Sequence, residues 1–274
     1  MKAPTASRFP EVADRHLIFS INSGRAGSKY LAQLLGTAQD VQSFHEAEPK
    51  MSGDFIRLIN AEPLAASREK RCVKSEAIAK LLRNSPASVT YAETNHTFIK
   101  TFFDVVLEDF RNVEVIILRR NLLQTLRSFV ELGYFSELNP LAYSWMSSPN
   151  AASAALPAIG PDGELDQFDL CIAYLLDIEA RAERFRLEYP HVPVHEVQLE
   201  QLNKITFVED LLARLHLLPT ARTKNMCGQK INERRQRKEQ IGNPVTTREC
   251  EQRLAKYLRR AREKGLKIPA LLGR

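Results

Sequence analysis

The sequence predicts an α/β protein, a doubly wound, mostly parallel sheet held between two layers of helices. Strand-like apolar runs alternate with segments of helical spacing, which is the order that builds parallel crossovers. The runs are continuously apolar rather than alternating, as expected of strands covered on both faces. The two stretches richest in anion-binding residue types follow the first and third of these strands, at the carboxyl ends where such sheets bind ligands.

In chain order, strands are expected at His16–Asn22 (HLIFSIN), Val89–Thr94 (VTYAET), Val113–Arg120 (VEVIILRR) and Val192–Leu199 (VPVHEVQL). Apolar residues recur with a helical period over Tyr30–Thr37, Phe98–Phe110, Asn121–Leu132, Leu165–Glu188 and Thr206–Leu215. A last helix is expected over Thr246–Gly265, where Cys250, Leu254, Tyr257, Leu258 and Ala261 form a core-facing stripe. Residues 136–166, rich in Pro, Ser and Ala, lack periodicity and are expected to form a long lid or acceptor loop. The chain reads as one domain over residues 1–274, with an N-terminal extension over 1–15 and a basic segment over 222–274.

Composition narrows the function classes. At 274 residues and 44% hydrophobic, the chain can bury a substantial core. It contains no apolar run long enough for a transmembrane helix. Its first residues carry acids and prolines in place of an apolar signal region, so a secretory signal is not expected. Cys72, Cys171, Cys227 and Cys250 are widely spaced, a pattern of reduced thiols in a cytoplasmic compartment rather than of a zinc site or disulfide framework. The net charge of +6 is uneven: residues 222–274 hold 16 Lys/Arg against 5 Asp/Glu. Tyr257 alone interrupts that segment as an aromatic, so it lacks the stacking residues of a nucleic-acid module.

The stretch SINSGRAGSKYL, Ser20–Leu31, carries two glycines three apart with Arg25 between them. A triphosphate P-loop needs four residues between its glycines and Ser or Thr after the lysine, and here Tyr30 follows Lys29. A shorter loop still aims backbone N–H groups at an anion, with Arg25, Ser28 and Lys29 adding charge and a hydroxyl. In VEVIILRRNLLQTLRSF, Arg120 stands at a strand end and Ser128 two helical turns later.

Together these stretches resemble sulfotransferases that use 3′-phosphoadenosine 5′-phosphosulfate (PAPS), and the resemblance implies their P-loop NTPase-like fold. It assigns Arg25, Ala26, Gly27 and Ser28 to the 5′-phosphosulfate loop, with Gly24, Lys29 and Tyr30 beside them as cofactor-binding candidates, and Arg120 and Ser128 to the 3′-phosphate. The segment VHEVQLEQLNKITFVEDLLARLHL adds structural matches at Glu200, Leu202 and Phe207, so the likeness runs from Leu17 to Leu218. Ala26 stands where the family's loop usually has Ser. The Gly-x-x-Gly-x-Trp-Lys segment of the cytosolic steroid and phenol branch is missing, which makes the pattern closer to carbohydrate-directed or bacterial-type members. A late basic loop closes over the nucleotide in the family, with Lys230, Asn232, Arg234 and Arg235 as candidates here.

The resemblance implies transfer of a sulfuryl group to a hydroxyl or amine of a small-molecule or carbohydrate acceptor, with PAPS as co-substrate and no metal, nucleic acid or membrane partner. Arg25 and Lys29 would stabilise the leaving oxygen. For the base, SFHEAEPKM offers Glu46, then Glu48 and His45, and YAETNHTFIK offers His96, with Glu93, Asn95 and Lys100 nearby. The rival readings are a P-loop kinase or nucleotide hydrolase and a non-catalytic nucleotide-binding protein of the same fold.

Overall fold

A computed structural model of the chain describes residues 6–229 and 241–269. Its elements are β1 (Leu17–Ile21), α1 (Ser28–Leu35), β2 (Val41–His45), α2 (Asp54–Ala61), α3 (Arg68–Arg71), α4 (Val73–Arg83), β3 (Thr90–Thr94), α5 (Phe103–Asp109) and β4 (Val113–Arg119). They continue with α6 (Leu122–Glu131), α7 (Gln167–Glu188), β5 (Val194–Gln198), α8 (Ile205–Arg214), α9 (Ala221–Met226) and α10 (Thr247–Glu263). These elements divide between two compact units, Met1–Met51 with Arg68–Arg120 and His191–Ile231, and Ser52–Ser67 with Asn121–Pro190 and Asn232–Arg274.

The first unit holds the sheet, whose five strands are all parallel in the order β2-β3-β1-β4-β5. Successive side chains of a strand point to opposite faces, and each face has its own cover. Ile18, Ala92, Ile116, Leu118 and Val197 pack with Leu31, Leu34 and Leu35 of α1 and Val208, Leu211 and Leu212 of α8. On the other face Phe19 stacks on Phe98 at 4.7 Å and meets Tyr91 and Phe102 edge-on or tilted. The inner strands β1 and β3 are buried at every position, β1 as a nearly continuous apolar run and β3 with the buried polar residues Thr90, Glu93 and Thr94 among its positions.

Three features depart from the sequence expectations. A fifth strand, β2, occupies one edge of the sheet, half-exposed at four of its five positions. Its VQSFH sequence therefore carries no apolar run to read. The helix expected over Phe98–Phe110 begins as a π-helical turn over Phe98–Phe102 and becomes α-helical only at Phe103. The N-terminal extension is part of the fold: Phe9, Val12 and Ala13 are buried, and Arg8 pairs with Asp109 at 2.6 Å.

In the second unit α6, α7 and α10 pack on one another. Phe129 and Phe135 lie against Tyr174 of α7 at ring-centroid distances of 5.9 and 5.8 Å. The stretch 136–166 holds only short 3₁₀ turns, as its lack of periodicity predicts. The carboxylate of Asp177 pins it by accepting from the Ala155 and Leu156 N–H groups at 2.6 and 3.0 Å, while Arg181 holds the other oxygen at 2.6 Å. On α10, Cys250, Tyr257 and Ala261 are buried as the stripe predicts. All four cysteines are free thiols, and among the described residues no helix is long and apolar enough to cross a membrane.

Candidate active site

The loop from β1 into α1 turns on three residues at positive φ, Gly24 (80°), Arg25 (55°) and Gly27 (89°). Glycine accepts that geometry freely, whereas at Arg25 it costs about 1–2 kcal/mol. The turn is braced on both sides. The Asn22 side chain accepts from the Gly24 N–H at 3.0 Å and donates to the Ser20 hydroxyl at 2.9 Å. From the end of β4, Arg120 Nη1 donates to the Arg25 carbonyl at 3.3 Å. Its neighbour Arg119 turns instead to Glu196 of β5 at 3.0 Å, a division of labour that RR in the sequence does not reveal. A side chain at Gly27 would put Cβ 2.4 Å from Leu199 Cδ1, so helix and neighbouring segment approach as closely as a bare backbone permits.

Helix α1 starts at Ser28 with no acidic residue in its first turn. The N–H groups of a first turn have no partners within the helix and carry a partial positive charge. Lys29 is exposed there, Ser28 is buried and Ala26 belongs to the apolar core. Tyr30 faces inward: its hydroxyl donates to the Leu202 carbonyl at 3.0 Å and accepts from the Gly228 N–H at 2.8 Å. The structure thus gives Tyr30 an anchoring role between α1 and the segments near α8 and α9.

The candidate acid and base residues gather at the ends of β2 and β3. Thr94 ties them together: its hydroxyl donates to the Ser28 carbonyl at 2.8 Å, and its own carbonyl accepts from the Glu46 N–H at 3.2 Å. Glu46, at φ 57°, places Oε1 3.8 Å from His45 Nε2 and 3.7 Å from His96 Nε2. His96 lies directly beside the loop, since a Cβ on Gly24 would stand 3.8 Å from its Cγ. Its other ring nitrogen meets Lys100 Nζ at 3.2 Å. Lys100 is fully buried, so it is no solvated helix cation. Burial first, then the charges of Lys100 and His45, hold His96 well below the usual imidazole range. Glu48 points away, largely exposed and 3.6 Å from Lys50.

A buried pair that the sequence does not advertise supports this cluster. Lys74 of α4 and Glu93 of β3 meet at 2.8 Å with neither side chain exposed. Lys74 Nζ also donates to the Ala47 and Pro49 carbonyls at 2.8 and 3.1 Å. Glu93 accepts from the Ala47 N–H at 3.1 Å, from Asn95 at 3.0 Å and from the Tyr91 hydroxyl at 2.6 Å. Thr97 completes the clamp by donating to the Lys50 carbonyl at 3.0 Å. The chain that follows Glu46 is therefore held from both strands' ends, and Glu93 and Asn95 act as supports.

Of the remaining candidates, Ser128 is a buried residue of α6 in the second unit. Lys230, Asn232, Arg234 and Arg235 lie outside the described residues. Among the described residues no group of three or more His, Cys, Asp or Glu is arranged to hold a metal ion.

No family model matches the chain, and no curated protein matches it in sequence. Its fold is similar to that of a sulfotransferase domain from the curacin biosynthetic pathway, with TM-score 0.50 and 14% identity over 93% of this chain and 99% of that one. The sulfotransferase domain of the Synechococcus PCC 7002 olefin synthase is equally similar, with TM-score 0.51 and 11% identity over 93% and 98% of the two chains. The parallel sheet, the turn from β1 into α1 and these neighbours define one architecture: the chain has the P-loop-like sulfotransferase fold.

Proposed function

We propose that the protein is a cytoplasmic sulfotransferase that moves a sulfuryl group from PAPS to a hydroxyl or amine of a small-molecule or carbohydrate acceptor. The observation that carries this reading is the convergence of an acid-free helix start, Arg25 and the loop-bonded Arg120 with a carboxylate–imidazole pair. The donor set fits a phosphosulfate: backbone N–H groups and cations for its charge, and no carboxylate in the first turn of α1 to repel it. PAPS supplies an activated sulfur whose bridging S–O bond breaks with the electron pair leaving on the 5′-phosphate, as the acceptor oxygen forms the new S–O bond.

The chain's own residues have separable tasks in this reading. Arg25, Lys29 and the N–H groups of the loop stabilise the negative charge that grows on the leaving oxygen. Arg120 holds the 3′-phosphate, for which Ser128, Asn232 and Arg235 are the further candidates of the sequence. Glu46 takes the proton released by the acceptor hydroxyl and passes it to water. The free thiols of all four cysteines suit a reducing compartment.

Titration calorimetry with adenosine 3′,5′-bisphosphate against magnesium ATP tests the reading. Tight bisphosphate binding that Arg120→Ala weakens 10-fold or more, about 1.4 kcal/mol, supports it. A preference for magnesium ATP overturns it in favour of a kinase or nucleotide hydrolase. Bisphosphate binding without sulfuryl transfer to any acceptor leaves a non-catalytic binder.

A further inference from the structure

His96 has two ring nitrogens with different neighbours. Nδ1 faces Lys100 Nζ at 3.2 Å, and Nε2 faces Glu46 Oε1 at 3.7 Å. An ammonium has three donors and no acceptor, so the Nδ1 that meets it must be the unprotonated, accepting nitrogen. The proton of a neutral ring then sits on Nε2, the nitrogen directed at the carboxylate.

The backbone that presents Lys100 to the ring is closely fixed. Phe98 N–H bonds the Asn95 carbonyl at 3.1 Å, Lys100 N–H the Thr97 carbonyl at 3.0 Å and Thr101 N–H the same carbonyl at 2.8 Å. Phe98 is stacked on Phe19, and the fully buried Arg71 donates to the Thr101 carbonyl at 2.9 Å. The π-helical turn over residues 98–102 holds Lys100 beside the ring; such turns recur at functional sites.

We propose that Lys100 is a positioning residue that locks His96 as the neutral Nε2–H tautomer, making the ring a hydrogen-bond donor and leaving Glu46 as the proton acceptor of the site. The second half of this statement rests on the sulfuryl-transfer reading; the lock itself does not. A ring whose Nδ1 lone pair is occupied and whose Nε2 carries a proton has no lone pair with which to deprotonate an acceptor. It can instead donate toward the carboxylate or toward the acceptor oxygen. The charged or titratable groups facing the ring are Lys100 on its own segment, His45 and Glu46 from the end of β2, and the loop that carries Arg25.

Nitrogen-15 NMR of the histidine rings tests the lock on the full chain. In the wild type, His96 is expected to stay neutral where an ordinary imidazole takes up its proton, with its own proton on Nε2 and Nδ1 resonating as a nitrogen that accepts a hydrogen bond. In Lys100→Met the protonation midpoint of the ring rises by one unit or more, a tenfold gain in proton affinity, and the hydrogen-bonded Nδ1 signal is lost. Lys100→Gln, which keeps a donor without the charge, retains that signal. A proton on Nδ1 in the wild type, or an ordinary imidazole titration there, overturns the proposal even if neither variant folds. An unchanged midpoint in a folded Lys100→Met removes Lys100 from it. These signals need no nucleotide, so a protein that fails to bind adenosine 3′,5′-bisphosphate yet shows the locked ring refutes the functional reading and leaves the lock standing.

Discussion

The Lys74 ammonium and the Glu93 carboxylate form a fully buried pair at 2.8 Å, and both also bond the main chain of Ala47, one residue beyond Glu46. Burial pulls the lysine below its ordinary pKa and Glu93 opposes that pull. Removing one member of such a pair strands the other charge in the core. Lys74→Met should cost about 3–5 kcal/mol in urea unfolding, with Lys74→Met/Glu93→Gln recovering part of the loss. Equal instability of the single and double variants would show that the pair contributes nothing beyond packing.

Glu46→Gln keeps the shape of the candidate base and removes its negative charge. Turnover should fall by about 100-fold or more, while calorimetric affinity for adenosine 3′,5′-bisphosphate changes little. Full turnover in this variant would move the proton to another group.

At Gly27 two obstacles to a side chain coincide, a φ of 89° and the 2.4 Å approach to Leu199 Cδ1. Gly27→Ala should destabilise the fold by more than about 1 kcal/mol. Adding Leu199→Ala relieves the clash but not the backbone strain, so that double variant should not regain the stability of Leu199→Ala alone. Thermal melting of the three variants checks the ordering.

At the amino ends of the strands Glu114 sits between two imidazoles, His16 Nε2 at 2.9 Å and His195 Nε2 at 2.7 Å. Burial alone would raise its pKa, but the two hydrogen bonds outweigh it and take the carboxyl from 4.5 down to about 2. A depressed carboxyl stabilises the folded state fully above its unfolded pKa and loses that contribution as pH falls through the folded one. At 1.36 kcal/mol per unit this amounts to at most about 3 kcal/mol, lost between about pH 4.5 and about pH 2. Glu114→Gln should flatten that part of the pH profile of the urea midpoint. A profile identical to the wild type would place the acid sensitivity elsewhere.

Central strands wrote themselves plainly into the sequence, and the edges and supports did not. LIFSI and the VIIL centre of VEVIILR are mostly apolar because helices cover both their faces, whereas VQSFH borders solvent and mixes polar with apolar residues. The loop residues Gly24–Ser28 and Arg120 were legible from residue type and strand position, and the hydrogen bond from Arg120 to the Arg25 carbonyl brings them together. Glu46 and His96 were readable as candidates, but their approach depends on the register of β2 against β3, where His45 pairs with Thr94. Lys74 left no signal: in VKSEAIAKLLR it reads as one more solvent-facing helix cation, and only burial beside Glu93 gives it away. Lys100 was equally ambiguous, since His-x-x-x-Lys on a helical segment says nothing of which side meets solvent.

The strand order has a kinetic meaning as well. Leu17 of β1 pairs with Tyr91 on one side and Val113 on the other, and β4 in turn waits for Val194. No ladder of the sheet is a local hairpin, so every pairing must close a long loop before it yields its hydrogen bonds, which slows folding. On the ribosome β1 therefore emerges long before either of its neighbours, and the nascent chain carries its most apolar strand unpaired until Thr90–Thr94 has left the exit tunnel, and paired on one side only until Val113–Arg119 follows.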